Sequence, residues 1–179
     1  MPNILRLILA LAIMGGSITL MVFGHWGWGI PLFLFSVLFL VTFFYNENML
    51  IAQLYLRKDN MAKAEQFLKR IKNYERELIR VQHGYYNLLI GLIESRRAPM
   101  QSEKYFKKAL SLGMHMDHNT ALAKLSLAGI SIAKRNKREA QQYLTEAKKA
   151  DKNKLLAEQI KQMKDQLGMI DRQQQVRYR

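Results

Sequence analysis

The chain has no cysteine among its 179 residues and no acidic residue before Glu47. The first absence excludes disulfides and thiolate metal sites and leaves the redox compartment open. The second is part of a wider lack, because the first 45 residues carry a single charge, Arg6. No phosphate-binding glycine loop, nucleophile motif or pair of carboxylates suited to acid–base work can be found, which argues against an enzyme and against a bound cofactor.

The uncharged N-terminal region contains two apolar runs of 20 residues, Ile4 to Phe23 and Trp26 to Tyr45. At about 1.5 Å rise per residue, ~20 residues cross a hydrocarbon core of roughly 30 Å. Gly24-His25-Trp26-Gly27-Trp28-Gly29 separates them, with glycines to break helix and two Trp rings suited to the water interface. Residues 1–46 are therefore expected to form a two-helix transmembrane hairpin, with spans at about 4–23 and 26–45. A cleaved signal peptide over residues 1–23 is the competing reading, against which the length of the run counts; the second span would remain. Ala12 and Gly16, with Gly15 beside them, offer a small-residue face for close packing of the two spans or of another subunit.

Orientation follows from the basic residues. Arg6 precedes the first span and Arg57, Lys58 and Lys63 follow the second, whereas the loop between the spans has none. Both termini are thus expected to be cytoplasmic in a multi-pass protein of a bacterial inner membrane. Arg6 lies near the end of its helix and can snorkel to the head groups. From Glu47 onward 27 basic residues face 14 acidic ones. So basic a domain is drawn to an anionic leaflet, at about 1 kcal/mol per well-placed Lys or Arg; a generally solvated basic exterior accounts for the charge equally well. No groove-reading motif supports nucleic acid as a partner.

The soluble part repeats itself. Ala64-Glu65-Gln66-Phe67-Leu68-Lys69-Arg70-Ile71 is echoed by Ser102-Glu103-Lys104-Tyr105-Phe106-Lys107-Lys108-Ala109 and by Ala140-Gln141-Gln142-Tyr143-Leu144-Thr145-Glu146-Ala147, 38 residues apart each time. Apolar residues recur at three-and-four spacing on both sides of Lys58-Asp59-Asn60, so each unit is a helical hairpin. Its second helix starts near Met61, Pro99 and Lys137. Ala64, Ser102 and Ala140 open the packing face of that helix, and Phe67, Tyr105 and Tyr143 follow as core aromatics. Leu155, Leu156, Ile160, Met163 and Leu167 form one apolar stripe, suited to a capping helix over 153–167 or to a helix lying on the membrane. Asp171 to Arg179 reads as a polar, basic, flexible tail.

Residues 48 to about 152 resemble three tetratricopeptide repeats. Ala52 with Ala64 and Ala128 with Ala140 keep the family's small-residue spacing between the two helices, and Ser102 with Ala109 and Ala140 with Ala147 keep it within the second. Ile71 and Ile90 depart from that pattern, Gly91 offering a one-residue shift. The period of 38 exceeds the family's usual length and suggests a long first helix in the middle unit, from about Glu75 to Ser95. The resemblance implies an all-α fold, a right-handed solenoid of three helical hairpins with a C-terminal cap over 47–168, followed by the tail at 169–179. It further implies a concave surface of first helices that binds an extended or helical peptide. Met49, Gln53, Arg57, Tyr86, Asn87, Leu122, Leu125 and Ser126 fall on that surface. Arg57, Tyr86, Asn87 and Lys124 are the candidate contacts to a protein partner, itself membrane-associated.

His115, Asp117 and His118 invite a metal reading, but His83 is the sole other histidine of the domain and Asp117 can serve as a helix cap, so no metal is assigned. The sequence is consistent with a membrane-anchored adaptor. Two alternatives stay open: a structural subunit of a larger export or polysaccharide-synthesis complex, and a peripheral binder of anionic lipid.

Overall fold

The computed structural model describes the backbone of residues 3–44 and 46–177 and the side chains of residues 8–38 and 46–169. The described residues form ten helices and no strand: α1 Asn3–Val22, α2 Trp26–Phe44, α3 Glu47–Arg57, α4 Met61–Leu68, α5 Tyr74–Glu77, α6 Arg80–Arg97, α7 Pro99–Leu112, α8 Asp117–Ala133, α9 Lys137–Ala150 and α10 Ala157–Arg177. The protein is all-α.

α1 and α2 pack against each other through a tight turn. Gly24 makes that turn at φ +80°, a region that favours glycine. Gly27 and Gly29, expected in the loop, lie instead within the first turns of α2. At Gly29 the two helices approach closely: a Cβ there would stand 2.6 Å from Met21 Cγ and 3.3 Å from the Ser17 carbonyl oxygen. Ala10, Ser17 and Ser36 are fully buried in the seam, and the two serine hydroxyls donate at 2.8 Å to the carbonyls of Met14 and Phe33 in their own helices. The small residues expected at the seam, Ala12, Gly15 and Gly16, are exposed on the other side of α1. They do not close this pair of helices, which leaves their face open to another subunit. Among the described residues no helix is long and apolar enough to cross a membrane. The proposed spans also take in Ile4 to Leu7 and Phe39 to Tyr45, and these stretches, with the side chain of Arg6, lie outside the described side chains.

The rest of the chain is built of helix pairs. α3 packs on α4, α6 on α7 and α8 on α9; α6 also meets α3 and α4, α8 meets α7 and α6, and α10 meets α9 and α8. The second helices start at Met61, Pro99 and Lys137, 38 residues apart. Each pair closes on small residues. Ala52, Ala64, Ser102, Ala109, Ala128, Ala140 and Ala147 are all fully buried. Gly91 takes the place of Ala52 and Ala128 in the middle pair, and a Cβ on it would stand 2.8 Å from the Phe106 ring. The large buried side chains are Leu68, Phe106 and Leu144. They are the neighbours of Phe67, Tyr105 and Tyr143, which are half-buried on the flank of the hairpin.

Two of the three hairpin turns are superimposable in their bonding. Asp59 and Arg135 adopt φ 55° and 60°, and the amides of Asn60 and Asn136 each donate at 2.9 Å to the carbonyls of Tyr55 and Ser131. This is a Schellman ending, in which a left-handed residue lets the next amide reach back across the last helical turn. The same Asn then caps the following helix, accepting from Lys63 N and Glu139 N. The middle turn differs: Ala98 joins the helices and Pro99 opens α7 without needing a donor.

The long first helix expected over Glu75 to Ser95 is broken. Leu78 is extended (φ −107°, ψ 150°) and buried at 5 % exposure between the short α5 and α6. Interrupting the helix brings Leu78 into the core of the first hairpin. The extra residues of the middle unit thus form a short helix and a buried corner. At the C-terminal end, α10 starts at Ala157 and runs to Arg177, through the segment read as a tail. Side chains beyond Met169 lie outside the described residues.

Candidate functional site

Of the four proposed partner contacts, Arg57 alone is exposed. It stands near the Tyr85 hydroxyl, whose pKa burial pushes up to about 12 while the guanidinium pulls it back. Asn87 is buried at 4 % exposure, and its Nδ2 donates at 2.8 Å to the His83 carbonyl one turn earlier in α6. Lys124 is half-buried and pairs at 3.1 Å with Glu146 of α9. Tyr86 is half-buried and stacked on Tyr74, with ring centroids 5.1 Å apart and planes 15° from parallel. Burial raises its pKa, and the negative charge of Glu77 adds to the effect. Three of the four thus make contacts within the scaffold itself. Of the other residues placed on that surface, Met49 and Leu125 are buried and Gln53, Leu122 and Ser126 half-buried.

An aromatic and basic cluster lies around Tyr74. Its ring meets His83 edge-on at 5.3 Å, its hydroxyl donates to Glu75 at 3.0 Å, and the Lys108 ammonium stands 5.2 Å from its centroid. A hydrogen bond with the Tyr74 hydroxyl raises the Lys108 pKa. These groups satisfy one another and fasten α5 to the hairpin of α6 and α7.

The ion pairs between hairpins were missed in the sequence reading. Glu65 of α4 bonds to Lys69 at 2.8 Å and holds the Arg97 guanidinium with both oxygens. Glu103 of α7, at the equivalent position, bonds to Lys107 at 2.7 Å and to Lys134. Each acid is thus clamped between a lysine one turn on and a basic residue in the turn of the next hairpin. These bonds hold both carboxyls below the usual carboxylate range, Lys69 and Lys107 contributing most and Arg97 and Lys134 next. The signal was present in the repeat alignment as Glu65 with Lys69 and Glu103 with Lys107. The third unit has Gln141 and Thr145 there.

A cleft of about 480 Å³ opens between the end of α9 and α10, lined by Lys148, Lys152, Lys154, Lys161 and Lys164. The carboxylate among them, Asp151, is turned inward: its two oxygens accept from Leu155 N at 3.0 Å and Leu156 N at 2.8 Å. Lys152 reaches Asp117 at 2.7 Å. Asp117 was expected to cap α8, but that position falls to Met116, which makes no side-chain cap.

No family model, curated protein or solved structure matches the chain. The site has to be judged on its own geometry. Among the described residues no group of three His, Asp or Glu side chains could hold a metal ion. His115 is exposed, and the buried Nδ1 of His118 has no hydrogen-bond partner. The arrangement offers stacked helices with basic edges and a lysine-lined cleft at one end.

Proposed function

We propose that the chain is a membrane-anchored helical-repeat scaffold that brings protein partners together at the cytoplasmic face of a bacterial inner membrane and carries out no catalytic step itself. In this reading α1 and α2 span the bilayer, the three hairpins form a right-handed tetratricopeptide-like solenoid, and α10 caps it. The carrying observation is the threefold recurrence of hairpins that close on buried small residues and touch mainly their neighbours. Such a stack presents an extended surface out of proportion to its core, which suits recognition of a peptide or helix. Tethering adds effective concentration: confining that surface to a membrane favours partners in the same plane without any new contact.

The test is crosslinking of the full-length protein in its native membrane, compared with an Arg57→Glu variant. Arg57 is exposed, so reversing its charge leaves the core alone. One dominant captured protein, lost in the variant, is the expected result. Membrane subunits retained in the variant, and lost when the first 46 residues are exchanged for an unrelated hairpin, would make the chain a structural subunit of a larger complex instead.

The lysine-lined cleft favours a second reading, in which the domain binds an anionic head group. Binding to phosphatidylglycerol vesicles should then fall steeply with salt. Retention of binding by a Lys154→Gln, Lys161→Gln, Lys164→Gln variant would remove the cleft from consideration.

A further inference from the structure

The three small residues Ala52, Gly91 and Ala128 bring the first helices of the hairpins into register. Two positions after them stand Leu54, Ile93 and Ile130; two before them stand Leu50, Leu89 and Ser126. In the inner hairpins the apolar members of this set are buried, Leu89 at 2 %, Ile93 at 4 % and Ile130 at 5 % exposure. The neighbours that bury them are informative. Leu89 and Ile93 share a core with Met49, Ala52, Ala64 and Leu68 of the first hairpin, and Ile130 shares one with Leu88 and Phe106 of the second. Leu89 and Ile93 in the second hairpin and Ile130 in the third thus lie on the face that packs on the hairpin before, while Ser126 bonds within its own helix to the Leu122 carbonyl.

The first hairpin has no predecessor. Its residues at these positions are nevertheless Leu50 and Leu54, and they stand 44 % and 56 % exposed, one helical turn apart. Exposing two large apolar side chains on a docking face is costly unless something covers it. Chain continuity indicates what is near. α2 ends at Phe44 and α3 starts at Glu47, where Asn46 caps it by accepting from Asn48 N at 3.0 Å. At ~3.6 Å per residue, α3 must begin within roughly 10 Å of the end of α2. Arg57 and Lys58, both exposed, close the same helix with positive charge.

We propose that the Leu50 and Leu54 face of α3 lies in the lipid interface at the base of the α1 and α2 hairpin, so that the bilayer takes the place of the missing preceding hairpin. This rests on the reading of α1 and α2 as membrane spans. Leu50 and Leu54 enter the boundary between head groups and acyl chains, and Lys58 remains among the phosphates. The scaffold is then docked on the membrane by its first repeat and is not free to swing on a linker.

The absence of cysteine makes a clean test available, because one introduced thiol is the sole labelling site. Nitroxide labels are placed by Leu50→Cys, Leu54→Cys, Leu34→Cys in α2 and Gln66→Cys on the exposed side of α4, each in the full-length chain in phosphatidylcholine and phosphatidylglycerol nanodiscs. Collision with oxygen, which partitions into lipid, is compared with collision with a water-soluble nickel chelate. The expected result is an oxygen-to-nickel ratio at positions 50 and 54 several-fold above that at 66 and approaching that at 34. A lipid-like 34 with water-like 50 and 54 overturns the proposal and leaves the anchor standing. A water-like 34 overturns the anchor and the proposal with it. Shielding of 50 and 54 from both reagents means that a protein surface, either a partner or a second copy, covers the face, and lipid is overturned as its occupant.

Discussion

Glycine has opposite meanings at two helical positions of this chain. Gly91 faces the Phe106 ring, which is fully buried and has no room to retreat. Gly91→Ala should therefore destabilise by about 1–3 kcal/mol, the usual range for overpacking. Gly168 lies within α10 with nothing within 4 Å of a Cβ. Gly168→Ala should stabilise by about 1 kcal/mol through helix propensity alone. Urea unfolding of the two variants checks both, and a shift in the same direction would sink the packing argument. The exchange of Ala52 and Ala128 for Gly91 could be suspected from the repeat, but not its cause, because Phe106 reads as an ordinary apolar residue until its ring is seen against α6. The same limit applies to Phe67, Tyr105 and Tyr143: Phe67 and Tyr143 pack against the core as half-buried side chains, while the most buried positions are those of their neighbours. A 38-residue period fixes which residues are equivalent, yet neighbours on a helix differ by 100° in direction, and Leu68, Phe106 and Leu144 point inward. Asn87 shows a related limit: a buried amide can satisfy itself on the carbonyl one turn back, which sequence does not reveal.

Between elements, the recurring ion pairs set an acid dependence. Glu65 and Glu103 have folded pKa values below the ordinary carboxylate range. Their contribution to stability is complete above the unfolded value of about 4.3 and is lost as pH falls through the lower folded value. A Glu65→Gln, Glu103→Gln variant should be less stable at pH 7 and show a shallower loss of stability between neutral pH and pH 3. Identical acid limbs for variant and parent would refute this. Exposed pairs contribute about 0.2–1 kcal/mol each, and the arginine of the Glu65 pair is 58 % exposed, so a Glu65 and Arg97 double-mutant cycle should fall in that range. At the C-terminal end, Asp151 accepts two backbone amides from the loop leading into α10. Asp151→Ala strands those donors and should cost about 1–3 kcal/mol, loosening α10 before the hairpins, as hydrogen exchange of α10 amides would reveal. Helix starts were legible because the polar turns and caps are local signals. The break at Leu78 was not, since a buried corner depends on the core it enters, and that core is assembled from residues on both sides of it in the chain, from Met49 to Ile93.

For the whole molecule, the division at Asn46 is the property most directly legible in sequence, since composition alone separates an apolar pair of helices from a charged stack. The partner surface was the least legible. Stacked helices hide or reveal a residue according to contacts with two neighbours, so a register position could be assigned to Tyr86 and Lys124 but not their ring stack or ion pair. The molecule-scale expectation is that Arg57→Glu alters capture of partners without altering thermal stability, whereas Tyr86→Ala alters stability as well by removing the stack on Tyr74. Equal melting temperatures for the two variants would contradict that assignment.

The acid at positions 65 and 103 gives way to Gln141, and at the same step Lys69 and Lys107 give way to Thr145. Considered as a polymer, the stack carries a growing end with no coupling group on it. A duplicated hairpin inserted after α9 would add apolar surface but no charge clamp, and would be the weakest link in the array; restoring Glu at 141 and Lys at 145 in that longer chain should make its unfolding cooperative again.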